Sequence, residues 1–244
     1  MTALTRRSVF TGAAALVAAP SRPPFFDGQT ISLNGADYVL TDIIAPSAAP
    51  LAGGAEPGAE IALAALEAIM AGRRTPAFSA PPRDRWGRGR GPLRVIGARG
   101  EETTVQLALL EAGAARVFPQ TDDDALLESY FAAEDAARAA RRGLWALAAY
   151  ALREARDERR VAGFQIYRGV VRSTGEHEGR VYFNFGEDFR TDVTATASLG
   201  AFRRWRRKDA LSAYAGRAVE LRGTVRWING PSIELRHERQ LRVL

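Results

Sequence analysis

At 244 residues, with 46% apolar and 25% charged residues, the chain has the composition of an ordinary globular protein long enough for two modest domains. It has no cysteine, which excludes disulfide frameworks, thiolate zinc sites and cysteine nucleophiles, and only two histidines, His177 and His237, too few for a histidine-rich metal site. The net charge of +6 is unevenly spread: residues 160–244 hold 16 Lys and Arg against 9 Asp and Glu, whereas the rest holds 18 against 19, so the C-terminal part is the one suited to phosphate backbones or anionic membranes.

Taken in chain order, Thr5-Arg6-Arg7-Ser8-Val9-Phe10 resembles a twin-arginine export signal. The apolar run at residues 9–19 is too short to span a bilayer. Val17-Ala18-Ala19 offers small residues for cleavage, but Pro20 follows the cut, so an uncleaved anchor stays open. Residues 1–25 are read as this signal region, which implies a periplasmic or secreted protein, or one anchored by the uncleaved signal.

Short alternating runs over residues 28–47, with Asn34-Gly35 between them, predict a hairpin that Pro46 ends. Ile61, Leu63, Leu66 and Ile69 predict a helix over residues 57–71, stopped by Gly72. A strand pair is expected near residues 76–79 and 93–96, joined by the Gly- and Arg-rich loop 84–91. Residues 105–110 predict a helix ended by Gly113. Asp122-Asp123-Asp124 then supplies an N-cap and favourable negative charge for a long helix reaching about Arg142, with Gly143 as breaker.

Residues 147–160 are read as an Arg- and Glu-rich helical linker. Strands follow at residues 165–173, 180–185, 191–197, 219–227 and 233–236, with a short helical interruption between Leu199 and Ala215 and an Asn229-Gly230 turn. Three strands, a helix and two strands is the order of a small OB-type barrel. The expected fold class is α+β: a five-stranded OB-type barrel with packed helices, followed by a second, basic OB-like β-barrel at residues 161–244.

Six landmarks fall in order. They are Phe26-Asp27-Gly28-Gln29-Thr30, the strand ending Ile44-Ala45-Pro46-Ser47, the helix at residues 56–71, the loop Asp84-Arg85-Trp86-Gly87-Arg88, the segment 109–115, and the helix closing on Gly143-Leu144-Trp145. Over residues 26–146 they resemble the thermonuclease, or staphylococcal-nuclease-like, family, whose sharpest match here is the Asp-x-aromatic-Gly-Arg loop. The block at residues 180–195 is similar to an extension attached to some bacterial members.

The resemblance implies calcium-dependent phosphodiester hydrolysis, with two aspartates on the metal, a glutamate for the water and two arginines for the phosphate. Most of those positions are substituted. The metal aspartates fall on Gln29 and Ile44, the glutamate on Ser47 and the strand arginine on Val39; Arg88 is retained, as is Asp27 at the start of the opening motif. The expectation is a degenerate nuclease with no metal site, which binds single-stranded nucleic acid, another anionic polymer or an envelope protein. A structural envelope component and an active metal-dependent phosphodiesterase are the alternatives. The second needs calcium on relocated acids, Asp42 with Asp27 and Glu56 or Glu60, on the argument that Asp42 shares a strand face with Ile44.

Two basic groups are candidate nucleic-acid contacts. Arg85, Trp86, Arg88 and Arg90 combine an aromatic with phosphate clamps, unless Trp86 packs into the barrel. Arg203, Arg204, Arg206 and Arg207, around Trp205 and before Lys208, form the densest charge run, suited to phosphate, to anionic lipid or to simple solvation. His177 is expected in a turn over residues 175–179, and His237 has no recognisable partner.

Overall fold

The computed structural model describes residues 27–33, 36–48, 54–71, 82–96, 100–156, 160–188, 191–206, 209–228 and 230–244. The signal region, Phe26, the Asn34-Gly35 turn, the expected strand at 76–79, Arg207, Lys208 and Asn229 lie outside these residues.

In the N-terminal half, strand β1 (Thr30–Leu33) pairs antiparallel with β2 (Ala36–Leu40) as expected, in the register Thr30↔Val39. Alternation buries Ile31 and Leu40 completely. Next come β3 (Ile43–Ile44) and helix α1 (Ala59–Met70), which buries Ala62 and Leu66. The Arg-rich loop contributes an unexpected strand, β4 (Gly89–Gly91), lying parallel to β2 with Val39 opposite Arg90. Strand β5 (Arg94–Ile96) pairs antiparallel with β6 (Glu102–Thr104).

Helix α2 (Val105–Glu111) starts at Thr104, whose side chain accepts from the Leu107 N–H. Strand β7 (Arg116–Val117) pairs antiparallel with β3, setting Arg116 opposite Ile44. Helix α3 (Asp124–Ala139) is capped by Asp123, whose carboxylate accepts from the Leu126 N–H, which satisfies one of the orphan donors of the first turn. The single barrel expected here is not traced as one sheet. Among the described residues the strands fall into a three-stranded and two two-stranded sheets around one core that includes Leu66, Leu109 and Phe131.

The end of this half depends on two glycines that touch. Gly113 and Gly143 both have positive φ (68° and 54°), and the Leu144 N–H donates to the Gly113 carbonyl at 2.8 Å. A Cβ on Gly113 would lie 2.2 Å from the Arg142 carbonyl oxygen, and one on Gly143 would lie 2.5 Å from the Gly113 oxygen. The Gly-Leu-Trp stop is thus a close backbone approach, and it delivers Leu144 and Trp145 to the seam between the halves.

Among the described residues the expected helical linker at 147–160 is not observed. Residues 143–150 form two 3-10 turns, and β8 (Arg153–Glu154) runs parallel to β9 (Gly163–Val170). Anchoring overrides the helix-favouring composition: the Tyr150 hydroxyl donates to the Pro57 carbonyl at 2.5 Å, and Arg153 donates to the Gln165 side chain at 3.0 Å.

From β9 the chain continues through β10 (Ser173–His177), β11 (Arg180–Asn184), β12 (Thr194–Ser198), α4 (Leu199–Arg204), β13 (Ala218–Trp227), β14 (Pro231–Glu234) and β15 (Leu241–Val243). His177 therefore sits at the end of a strand, not in a turn. The sheet path is β10-β11-β12-β14-β13-β9-β8, with β12 and β14 parallel and β15 added beside β13. Its core contains Val181, Phe183 and Leu221, with Phe183 stacked on Trp205 at 6.0 Å. The architecture is α+β, and no described helix is long and apolar enough to cross a membrane.

The two halves share a seam. Phe164 and Ile166 of β9 pack with Ala137, Leu144, Trp145 and Tyr150, and Ile44 and Phe118 lie against that cluster. Beside it Arg222 of β13 is fully buried. Its guanidinium meets Glu134 of α3 at 2.8 Å, pairs with Glu220 and donates to the Val117 carbonyl at 3.0 Å. Arg138 of α3 joins Glu220 at 2.9 Å.

Candidate functional site

The positions that the resemblance assigns to the metal are engaged in holding the backbone together. Gln29 donates its amide to the carbonyls of Leu40 and Ile43, both at 3.0 Å, while its side-chain oxygen faces the Ala45 N–H at 3.5 Å. A carboxylate there would offer only acceptors to those two carbonyls. Ile44, half-buried, packs into the seam with Tyr150 and Phe164. The Ser47 N–H is accepted by the Glu56 carboxylate at 2.7 Å, and the Glu56 N–H returns a bond to the Ser47 carbonyl at 2.9 Å.

The relocated acids are not gathered. Asp42 was expected on a strand beside Ile44, but it sits between β2 and β3 with φ 66°, in the left-handed region. The period of two therefore does not carry across it. It is 2% exposed; Oδ1 accepts from the N–H groups of Gln120 and Thr121 at 2.8 and 2.7 Å, and Oδ2 from the Thr41 hydroxyl at 2.9 Å. Asp27 caps its own turn, accepting from the N–H groups of Gln29 and Thr30 at 2.8 and 2.5 Å. Glu60 is exposed on the first turn of α1.

The loop before β4 is different in kind. Asp84 organises it, accepting from the N–H groups of Trp86 and Arg88 at 2.9 and 3.0 Å and from the Arg88 Nε at 2.8 Å. Burial acts to raise the Asp84 pKa, but the Arg88 backbone and side chain, with the Trp86 backbone, hold it below the usual carboxylate range. Trp86 is not packed into a barrel. It is 64% exposed, with the Arg85 guanidinium 4.0 Å and the Arg88 guanidinium 5.0 Å from its ring centre. Arg90, exposed on β4, reaches the Gln120 side chain at 2.7 Å. Because Arg90 is the register partner of Val39, a guanidinium stands one strand away from the position where the family's strand arginine is missing.

Residues 39–147 match the model of the staphylococcal nuclease homologue family. Over these residues the chain is similar to that family. The match begins after the Asp27-Gly28-Gln29-Thr30 motif and ends just past Gly143-Leu144-Trp145. Searched against curated proteins, the chain finds no match.

The calcium implied by that family does not fit the donors present here. Gln29 directs N–H groups where a metal would need oxygen, Ile44 offers no donor, and the Asp42 carboxylate is filled by two backbone N–H groups and a hydroxyl. No described group of three or more His, Asp or Glu side chains has the arrangement of a cation site.

The C-terminal basic run is split by packing. Trp205 is buried, and Arg206 pairs with Asp124 at 2.5 Å, which raises its pKa through that hydrogen bond and charge. Arg203 and Arg204 stay exposed beside a shallow pocket that also takes in Arg236 and His237. His237 does have partners: its Nδ1 accepts from the Arg239 N–H at 3.1 Å within a capping box closed by Gln240, and Asp122 lies 3.8 Å from its Nε2. Burial lowers its pKa. Sequence reasoning missed this role, and the Gln three residues on was the available signal.

Proposed function

We propose that this protein is a catalytically silent nuclease homologue that binds single-stranded nucleic acid through the 84–90 loop. The observation that carries the reading is the exposed Trp86 ring, with the guanidiniums of Arg85 and Arg88 both within 5.0 Å of its centre. An exposed ring beside two guanidiniums can stack on a base while they contact phosphate, and base stacking on an aromatic contributes about 1–3 kcal/mol. Arg90 extends the basic surface along β4. Silence follows from the substitutions: Gln29 and Ile44 serve packing and backbone pairing, and Ser47 brings no carboxylate.

In this reading both halves are OB-type units. For the C-terminal half the support is the sheet path, in which β9 and β10 are successive segments of the chain yet stand near its opposite ends, with β12 parallel to β14. A path that leaves and returns to one strand in that order is that of a small closed barrel. The twin-arginine-like segment supports export to the periplasm or outside.

The test is twofold. Single-stranded DNA and RNA bind with an affinity that falls steeply with salt, and Trp86→Ala or Arg88→Ala weakens binding roughly 5- to 100-fold. No cleavage follows addition of calcium or other divalent ions. Metal-dependent cleavage lost in Asp42→Asn and Arg88→Ala overturns the silence, and binding indifferent to Trp86→Ala and to salt overturns the interface.

A further inference from the structure

The outer face of the C-terminal sheet carries a second feature, about 720 Å³ in volume, far in sequence from the nuclease-homologue loop. Its floor is built from two cross-strand rows. One runs Gly175–Tyr182–Thr196–Glu234 over β10, β11, β12 and β14, and the next runs Ser173–Asn184–Thr194–Ser232–Arg226, reaching β13. Alternation explains why this face is free of core residues: on β11, Val181 and Phe183 point inward, leaving Arg180, Tyr182 and Asn184 outward.

Three features mark the groove as built for a ligand. Gly175 stands directly across from Tyr182, and a Cβ there would meet nothing within 4 Å, so the glycine leaves open space beside the aromatic ring. The Thr194 hydroxyl, in the second row, is left without a hydrogen-bond partner inside the fold, a state that costs about 1–3 kcal/mol. At the rim Ile228, on the β13–β14 connection, is 63% exposed, an apolar edge beside the two polar rows.

Charge selects the class of ligand. Arg180 is spent within the protein, donating to Thr196 at 2.8 Å and to Glu234 at 3.4 Å. Glu176 offsets Arg226, so the groove has no net charge from its carboxylates and guanidiniums. A polyanion would bring phosphates against Glu176 and Glu234. An uncharged chain of hydroxyls would meet donors and acceptors together, from Asn184, Thr194, Ser232, Arg226 and the two glutamates, with a ring face at Tyr182.

We propose that this groove binds a neutral oligosaccharide, with a sugar ring stacked on Tyr182 in the space left by Gly175 and its hydroxyls on the Asn184–Thr194–Ser232–Arg226 row. The site is independent of the 84–90 loop.

Calorimetric titration of the full chain with hexasaccharides of glucose (β1,4- and α1,4-linked) and of N-acetylglucosamine, and with a deoxythymidine oligonucleotide, tests it. At least one sugar binds, with an affinity unchanged within about twofold from low to high salt, the reverse of a phosphate ligand. Gly175→Val, which fills the space with a residue that strands favour, and Tyr182→Ala each weaken sugar binding about tenfold or more, with cooperative unfolding and the loop's oligonucleotide binding retained. Failure of all three sugars to bind overturns the proposal. So does sugar binding that survives Gly175→Val, or salt-dependent oligonucleotide binding that Gly175→Val abolishes.

Discussion

Replacing Arg222 by Met tests the seam most sharply. The guanidinium is 0% exposed, as are the carboxylates of Glu134 and Glu220 that it joins, and it lies 4.7 Å from the centre of the Phe131 ring. Methionine fills similar volume but leaves Glu134 charged, buried and served only by the Val117 N–H at 2.7 Å, while Glu220 keeps Arg138. Breaking one side of a buried pair costs about 3–5 kcal/mol, because the remaining charge has lost its counter-ion rather than because the pair was strongly favourable. Urea unfolding followed by tryptophan fluorescence and far-ultraviolet circular dichroism should register that loss. Adding Glu134→Gln, which keeps an acceptor for Val117 but no charge, should recover a large part of it, giving a coupling energy well outside error. A loss below about 1 kcal/mol, or equal losses in the single and double variants, refutes the reasoning. Acid gives a second check. Burial acts to raise the Glu220 pKa, but Arg222 and Arg138 hold it below the ordinary glutamate value of 4.5. The stabilisation from Glu220 is therefore complete above that value and lost as the pH falls through the lower folded one.

Three further outcomes are expected. Gln29→Leu strips the carbonyls of Leu40 and Ile43 of their amide donors and lowers unfolding free energy by about 1–3 kcal/mol, measurable by urea titration. Gly113→Ala meets both a positive φ and the Arg142 carbonyl; a loss of more than about 3 kcal/mol, or failure to accumulate as folded protein, is the expected result, and a normal melting curve would contradict it. His237, with its pKa lowered below 6.5 by burial, is protonated first in the unfolded chain. Its contribution is present above that pH and declines as pH falls below it, so His237→Gln flattens the melting temperature between about pH 7 and 5.

Much of this was readable beforehand because it is local. The hairpin, α1, the Asp123 cap and the alternation of Val181, Phe183 and Phe185 all follow from period and capping chemistry over a few residues. The unusual residues at Gln29, Ile44 and Ser47 were likewise visible as substitutions, but not what they do, since their partners come from other segments. The errors also have physical causes. Asp42 adopts a left-handed conformation that an Asp tolerates, and one such residue breaks the strand parity on which the relocated acids relied. Residues 153–154 carry helix-favouring Arg and Glu, yet an available edge on β9 and the Tyr150 anchor draw them into the sheet. Arg222 read as one of many arginines, because the carboxylate of Glu134 that buries it comes from the other half of the chain.

That separation has a consequence for biosynthesis. The chain emerges from its N-terminus, so α3 is complete, with Glu134 on its inner side, well before β13 can supply Arg222. Until β9 arrives, Phe118, Leu144 and Tyr150 have no Phe164 or Ile166 to cover them. The N-terminal half is thus committed to waiting for its successor, exposing an apolar, partly charged surface of the kind that invites aggregation in multidomain chains. A chain stopped near residue 147, where the family match ends, would carry that surface permanently.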